Sequence, residues 1–136
     1  MNWAQVFLAF VASAILASFT DWYFFGVLFH DRYRATPGVW RQYSDKKDEM
    51  RSIALSELFM GVSSFVFTVV CGRQGWTSLS NAAVAALVAW VMLPVPLLLT
   101  NAVYVPMSRL IVVSHSLGWL ARLLVTAICV AVVMRK

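Results

Sequence analysis

The sequence predicts an all-α fold, a membrane bundle of four transmembrane helices with a short interfacial helix between helices 1 and 2. Apolar residues make up 61% of the 136-residue chain and charged residues 12%, against roughly 45–50% and 25% in soluble domains. The mean hydropathy is +0.76. Four long apolar runs, at residues 3–29, 52–71, 82–105 and 109–134, each approach or exceed the ~20 residues a helix needs to cross hydrocarbon. By length the chain is a single domain, 1–136.

The first run carries one acid, Asp21, within Thr20-Asp21-Trp22-Tyr23-Phe24-Phe25. It is longer than a span requires, so its last turns enter the headgroup zone, where Trp22 and Tyr23 suit an aromatic belt. Met1 to Gln5 holds no basic side chain, and the apolar stretch that follows outruns a signal-peptide core, so this segment is expected to be retained. Asp21 is either a shallow carboxylate hydrated from the interface or the partner of an interior group.

Residues 30–51 are the one substantial hydrophilic stretch. Thr36-Pro37 looks like a helix start, and Val39, Trp40 and Tyr43 give a short apolar face beside Arg41 and Gln42, which predicts a brief helix on the membrane surface. Ser44 and Asp45 start a further helix through Lys46, Lys47, Asp48, Glu49 and Arg51 into the second run, which ends at Gly72. Glu57 heads a helical stripe of Gly61, Ser64, Thr68 and Cys71. Small and hydroxyl-bearing residues let helices approach closely in lipid; a carboxylate is not needed for that.

A connection with Gly75, Ser78 and Ser80 leads to the third run, where Pro94 and Pro96 should kink the helix before Thr100 and Asn101. Pro106 closes it, and Ser108 caps the fourth. That last run places His115, Trp119, Arg122, Thr126 and Cys129 on one helical face. Arg122 falls near mid-span, where an unpaired guanidinium costs at least ~2.5–3.5 kcal/mol on insertion scales. Its face must therefore look into protein or water.

An up-and-down path brings the end of run one, the start of two, the end of three and the start of four to one leaflet. At about 1.5 Å per residue, Asp21, Glu57, Asn101 and His115 then lie at similar depth, with Arg122 about one or two turns deeper. The expected polar cluster is Asp21, Glu57, Asn101, His115 and Arg122, with Arg122 paired to Asp21 or Glu57. Such a cluster either locks helix packing or lines a site for an ion, a proton or a small solute.

Seven basic residues flank the hydrophilic loop and the last connection (Arg32, Arg34, Arg41, Lys46, Lys47, Arg51, Arg109), against Arg73, Arg135 and Lys136 on the other side. This makes the first side cytoplasmic and predicts both termini outside. The net charge of +5 thus reads as a topology signal and a contact for anionic lipid, and nucleic acid is not an expected partner. Cys71 and Cys129 have no metal-ligand spacing, and whether they pair is left open. Asp31-Arg32-Tyr33 carries no motif value. No HExxH, Ser-His-Asp set, phosphate-binding glycine loop or level histidine pair for haem is present, so no catalytic residue, cofactor or metal is expected. The expected partners are the lipid bilayer and, since four helices enclose little volume, a homo-oligomer or a larger membrane complex. The chain reads as a non-enzymatic integral membrane protein. A second reading is a membrane enzyme or redox protein acting on a lipid or quinone, with Asp21, Glu57 or His115 as acid or base.

The stretch Thr20 to His30, the loop pattern Thr36-Pro37-Gly38-Val39-Trp40-Arg41, and later Trp90, Asn101 and Ser116-Leu117-Gly118-Trp119-Leu120 resemble the small bacterial membrane proteins classed as domain of unknown function 1761. The resemblance implies a four-helix domain of the bacterial inner membrane and no assigned activity. It directs attention to Asp21, Trp22, Gly26, His30, Trp40 and Arg41.

Overall fold

A computed structural model describes residues 1–36, 38, 41 and 43–135. They form an all-α bundle whose elements, in chain order, are α1 (Trp3–Asp21), a π-helical segment (Trp22–Leu28), α2 (His30–Ala35), α3 (Lys46–Gln74), α4 (Leu79–Met92), α5 (Pro94–Tyr104) and α6 (Arg109–Val133). Four helical runs, Trp3–Leu28, Lys46–Gln74, Leu79–Tyr104 and Arg109–Val133, are long and apolar enough to cross a membrane. Their outward faces carry large apolar side chains such as Phe7, Phe19, Phe59 and Leu93, an exterior compatible with a multi-pass membrane protein.

Local chemistry sets the helix ends. Asp45 caps α3, its Oδ1 accepting from Asp48 N at 2.8 Å, while Ser44 Oγ donates to Asp48 Oδ2 at 2.6 Å. The charged turn and the apolar run are therefore one helix. At its far end α3 passes the expected stop at Gly72 and ends at Gly75, which takes the left-handed conformation (φ 70°) that favours glycine. Gly72 is instead a meeting point of the chain ends: a Cβ there would lie 2.7 Å from Met134 Cε and 3.2 Å from Met1 Sδ. The third run breaks at Leu93, and Pro94, which has no N–H to leave unbonded, opens α5. Ser108 Oγ accepts from Leu110 N at 3.2 Å and starts α6.

Between Asp21 and α2 the helix widens. The N–H of Phe29 donates to Phe24 O at 2.9 Å, five residues back. The sequence reading expected an ordinary helix here. Residues four apart on an α-helix drift by about 40° per step, or about 120° from position 21 to position 33. A wider turn counters the drift, and Asp21, Phe29 and Tyr33 are all buried, with Phe25 half-buried between them. A short helix the sequence reading did not expect, α2, follows at once; the surface helix anticipated from Thr36 to Tyr43 rests on positions 37, 39, 40 and 42, which lie outside the described residues.

The last helix is the hub. α6 packs against α1, α3, α4 and α5, and α1 also packs against α3. In its most apolar window 44% of residues are buried, against 11–22% in the other three runs. The core joins Val6 and Ala9 of α1, Phe67 and Cys71 of α3, Ala82 and Ala86 of α4, and Leu123, Ala127 and Val130 of α6. The alanines keep the backbones close, as small residues do where helices associate in lipid. Trp90 Nε1 donates to Ser116 O at 2.8 Å and pins α4 to α6. An apolar groove of about 1010 Å³ separates α3 from α4 and α5, with Trp119 and Leu123 of α6 among its lining. Cys71 and Cys129 are buried free thiols and do not pair.

Candidate functional site

Three helices supply the polar side chains that meet inside the bundle. Asp21 ends α1, Glu57 lies in α3, and Arg122 lies in α6. Arg122 Nη2 donates to Asp21 Oδ2 in a direct ion pair and to Glu57 Oε2 at 3.3 Å. Ser18, one turn before Asp21, donates its hydroxyl to the same Glu57 Oε2 at 2.8 Å and also lies 2.9 Å from Ala14 O. The side chains of Arg122, Asp21 and Glu57 are 1%, 8% and 35% exposed, so burial falls off toward α3.

One turn further along α6, Thr126 Oγ1 lies 2.9 Å from Arg122 O and 3.4 Å from Ser64 Oγ, and Thr68 Oγ1 donates to Ser64 O at 2.8 Å. These hydroxyls extend the polar seam below the ion cluster between α3 and α6. Two atoms of the cluster remain unsaturated. Asp21 Oδ1 and Arg122 Nε are buried and have no hydrogen-bond partner among the described residues. Buried polar atoms are otherwise nearly always paired, so an unpaired donor and an unpaired acceptor set this cluster apart from the rest of the interior.

On the other side of the cluster lies an aromatic patch. Phe25 packs against His115, with ring centroids 5.0 Å apart, and against Tyr33 at 6.2 Å. The Tyr33 hydroxyl bonds Ser114 Oγ, which in turn donates to Leu110 O at 2.6 Å. Burial pushes the Tyr33 phenol above its ordinary range, and the bond to Ser114 works against that rise. Gly118 makes room for this packing: a Cβ there would lie 3.2 Å from Phe25 Cζ.

Of the five residues expected to cluster, the structure brings Asp21, Glu57 and Arg122 together. His115 stands seven residues, or about 10 Å of helix, from Arg122. Its ring faces Phe25, and it makes no hydrogen bond to a described residue. Asn101 is half-buried on α5, and its side chain bonds no described residue. α5 packs on α4 and α6, whereas the cluster lies among α1, α3 and α6, so equal depth does not bring Asn101 near it.

Sequence reasoning missed Ser18, Phe25, Tyr33 and Ser114. Ser18 carried a legible signal, a hydroxyl three residues before the only acid of its run. Tyr33 carried none that periodicity detects, because a π-helical turn resets the phase before it. Among the described residues no group of three or more His, Cys, Asp or Glu side chains is placed to hold a metal ion.

A family model described as "Protein of unknown function (DUF1761)" matches residues 8–131. No curated protein and no solved structure matches the chain.

Proposed function

The chain belongs to the DUF1761 family, and from that premise we propose that it is an integral membrane protein whose Asp21–Arg122–Glu57 cluster is a binding site for a small polar solute, reached from the side on which Glu57 is exposed. Four apolar runs with lipid-compatible exteriors support the membrane assignment. The excess of basic residues at the end where α3 and α6 begin supports a cytoplasmic location for that end, with both termini outside. Glu57 lies eleven residues into α3, about 16 Å from that end and nearer to it than to Gln74.

The observation that carries the reading is the unsaturated pair of atoms in a cluster graded from buried to open. A lock that served packing alone is stable when every buried polar atom is paired, since a half-satisfied network is worse than none. Here the donor Arg122 Nε and the acceptor Asp21 Oδ1 lie behind a carboxylate that is one-third exposed.

Water access tests the reading. With Cys71 and Cys129 replaced by Ala, Glu57→Cys in membrane vesicles should react with a membrane-impermeant, water-soluble maleimide. Leu58→Cys, on the apolar outer face, and Ser13→Cys, fully buried, should not. A Glu57→Cys thiol as inert as Ser13→Cys would identify the cluster as a dry structural lock and end the proposal.

A further inference from the structure

We infer that the groove between α3 and α4 holds one acyl chain of an anionic phospholipid, whose phosphate is met by Arg73 and Arg135. The inference rests on the membrane assignment made above and does not depend on the ion cluster.

The groove exists because two consecutive helices do not close on each other. α3 packs chiefly on α1 and α6, and α4 on α6 and α5. What remains between them is a trough of about 1010 Å³, apolar apart from Ser63 and Asn81, with Trp119 and Leu123 of α6 in its lining. It starts where α3 ends and α4 begins, at Trp76 and Asn81, and reaches the break at Leu93 and Pro94. Asn81 to Leu93 is twelve residues, about 18 Å of helix. Half of a bilayer's hydrocarbon is roughly 15 Å. The trough therefore runs from one membrane face to the middle of the bilayer, the path of a single acyl chain.

Charge selects the occupant. Arg73 lies in the last turn of α3, seven residues beyond Val66, which lines the trough. Seven residues are about 20° short of two full turns, so Arg73 stands on the same side of the helix as Val66. Arg135 follows Met134, whose Cε lies 2.7 Å from a Cβ placed on Gly72, the residue before Arg73. Both arginines are exposed, and neither forms a salt bridge with a described residue. The six acids of the chain are Asp21, Asp31, Asp45, Asp48, Glu49 and Glu57, so none follows Glu57. Four of them precede or open α3 at the opposite membrane face, and Asp21 and Glu57 belong to the ion cluster. The end of the trough is thus basic with no acid beside it. A second copy docked here by two-fold symmetry would set this basic end against itself. A phosphate headgroup complements it, and the Trp76 indole suits the interface between headgroup and chain.

The test uses the full chain in phosphatidylcholine nanodiscs. Small amounts of phosphatidylglycerol carrying a mid-chain diazirine are compared with the same probe built on phosphatidylcholine, and adducts are located by peptide mass spectrometry. Each basic side chain at a membrane surface favours an anionic lipid by about fivefold. The phosphatidylglycerol probe should therefore label the exposed groove residues Val66 and Val88 about 5- to 25-fold more than its counterpart does. Phe7 and Phe19, on the outer face of α1, should be labelled equally by both. R73Q/R135Q should remove the excess at the groove while Phe7 and Phe19 keep their labelling, which shows that the variant still sits in the bilayer. R51Q/R109Q, at the opposite face, should leave the excess unchanged.

The inference is overturned by an excess below about fivefold at the groove, by one that R73Q/R135Q retains or R51Q/R109Q removes, or by an equal excess at Phe7. Disulfide cross-linking of Val88→Cys to its own copy, with Cys71 and Cys129 replaced by Ala, would assign the trough to a second copy and overturn it as well. Absence of label at every position, Phe7 and Phe19 included, would instead refute the membrane assignment itself.

Discussion

Replacing Arg122 with Met removes the charge that ties three helices together, and the structure gives the size of the effect. The guanidinium is 1% exposed and its partner Asp21 8% exposed, so the substitution leaves a carboxylate in the interior without its counter-ion. Breaking a buried pair by deleting one member costs about 3–5 kcal/mol, which is roughly two to more than three orders of magnitude in the unfolding constant. Ordinary polar contacts between membrane helices average only about 0.6 kcal/mol, because the unfolded chain in the membrane also finds partners. The two expectations are well separated. The contact to Glu57, longer and one-third exposed, adds little to the difference. The assay is a double-mutant cycle of Asp21→Asn and Arg122→Met by equilibrium unfolding in mixed lipid–detergent micelles. Arg122→Met alone should be severely destabilised, and Asp21→Asn in the same chain should recover a large part of the loss. A single-variant cost below about 1 kcal/mol, or no recovery in the double variant, would show that the pair does not hold the bundle.

Two further outcomes follow from the aromatic patch. Gly118→Ala puts a methyl 3.2 Å from Phe25 Cζ, against a ring already backed by His115, and should lower stability by about 1–3 kcal/mol, the usual range for overpacking; thermal unfolding of the variant checks it, and an unchanged midpoint would mean that Phe25 is free to move. Tyr33 should ionise above the ordinary tyrosine range, read by phenolate absorbance as the difference between the wild type and a Tyr33→Phe variant. Because its folded value is raised above the unfolded one, the stability linked to this phenol is fully present below about pH 10 and is lost as pH rises through the folded value.

The helices were legible because they depend on composition and on local signals. Asp45, Ser78 and Ser108 cap as side-chain chemistry requires, and Pro94 divides the third run where a residue without an N–H must. The meeting of Asp21, Glu57 and Arg122 was legible for a different reason: a charge in an apolar run demands a partner, and these were the acids at a suitable depth. Depth alone does not give azimuth. Asn101 and His115 satisfied the vertical reckoning, but α5 packs away from α1 and α3, and His115 turns its ring to Phe25. Gly72 was read as a helix end because glycine often is one, yet here it supplies space for Met1 and Met134. The fate of Tyr33 could not be reckoned from a constant period, because the backbone does not keep one between Trp22 and Leu28.

That change of period lets one strand of the bundle keep step with another over an unusual length. A helix of constant pitch drawn along α6 would meet it and then veer aside within a few turns. By easing its winding once, beside the buried carboxylate, the chain from α1 into α2 fastens to α6 twice, through charge at Asp21 and through a phenol at Tyr33, with Phe25 clasped between. The two fastenings thus share one stretch of chain, with the ion pair at one end of it and the Tyr33–Ser114 bond at the other.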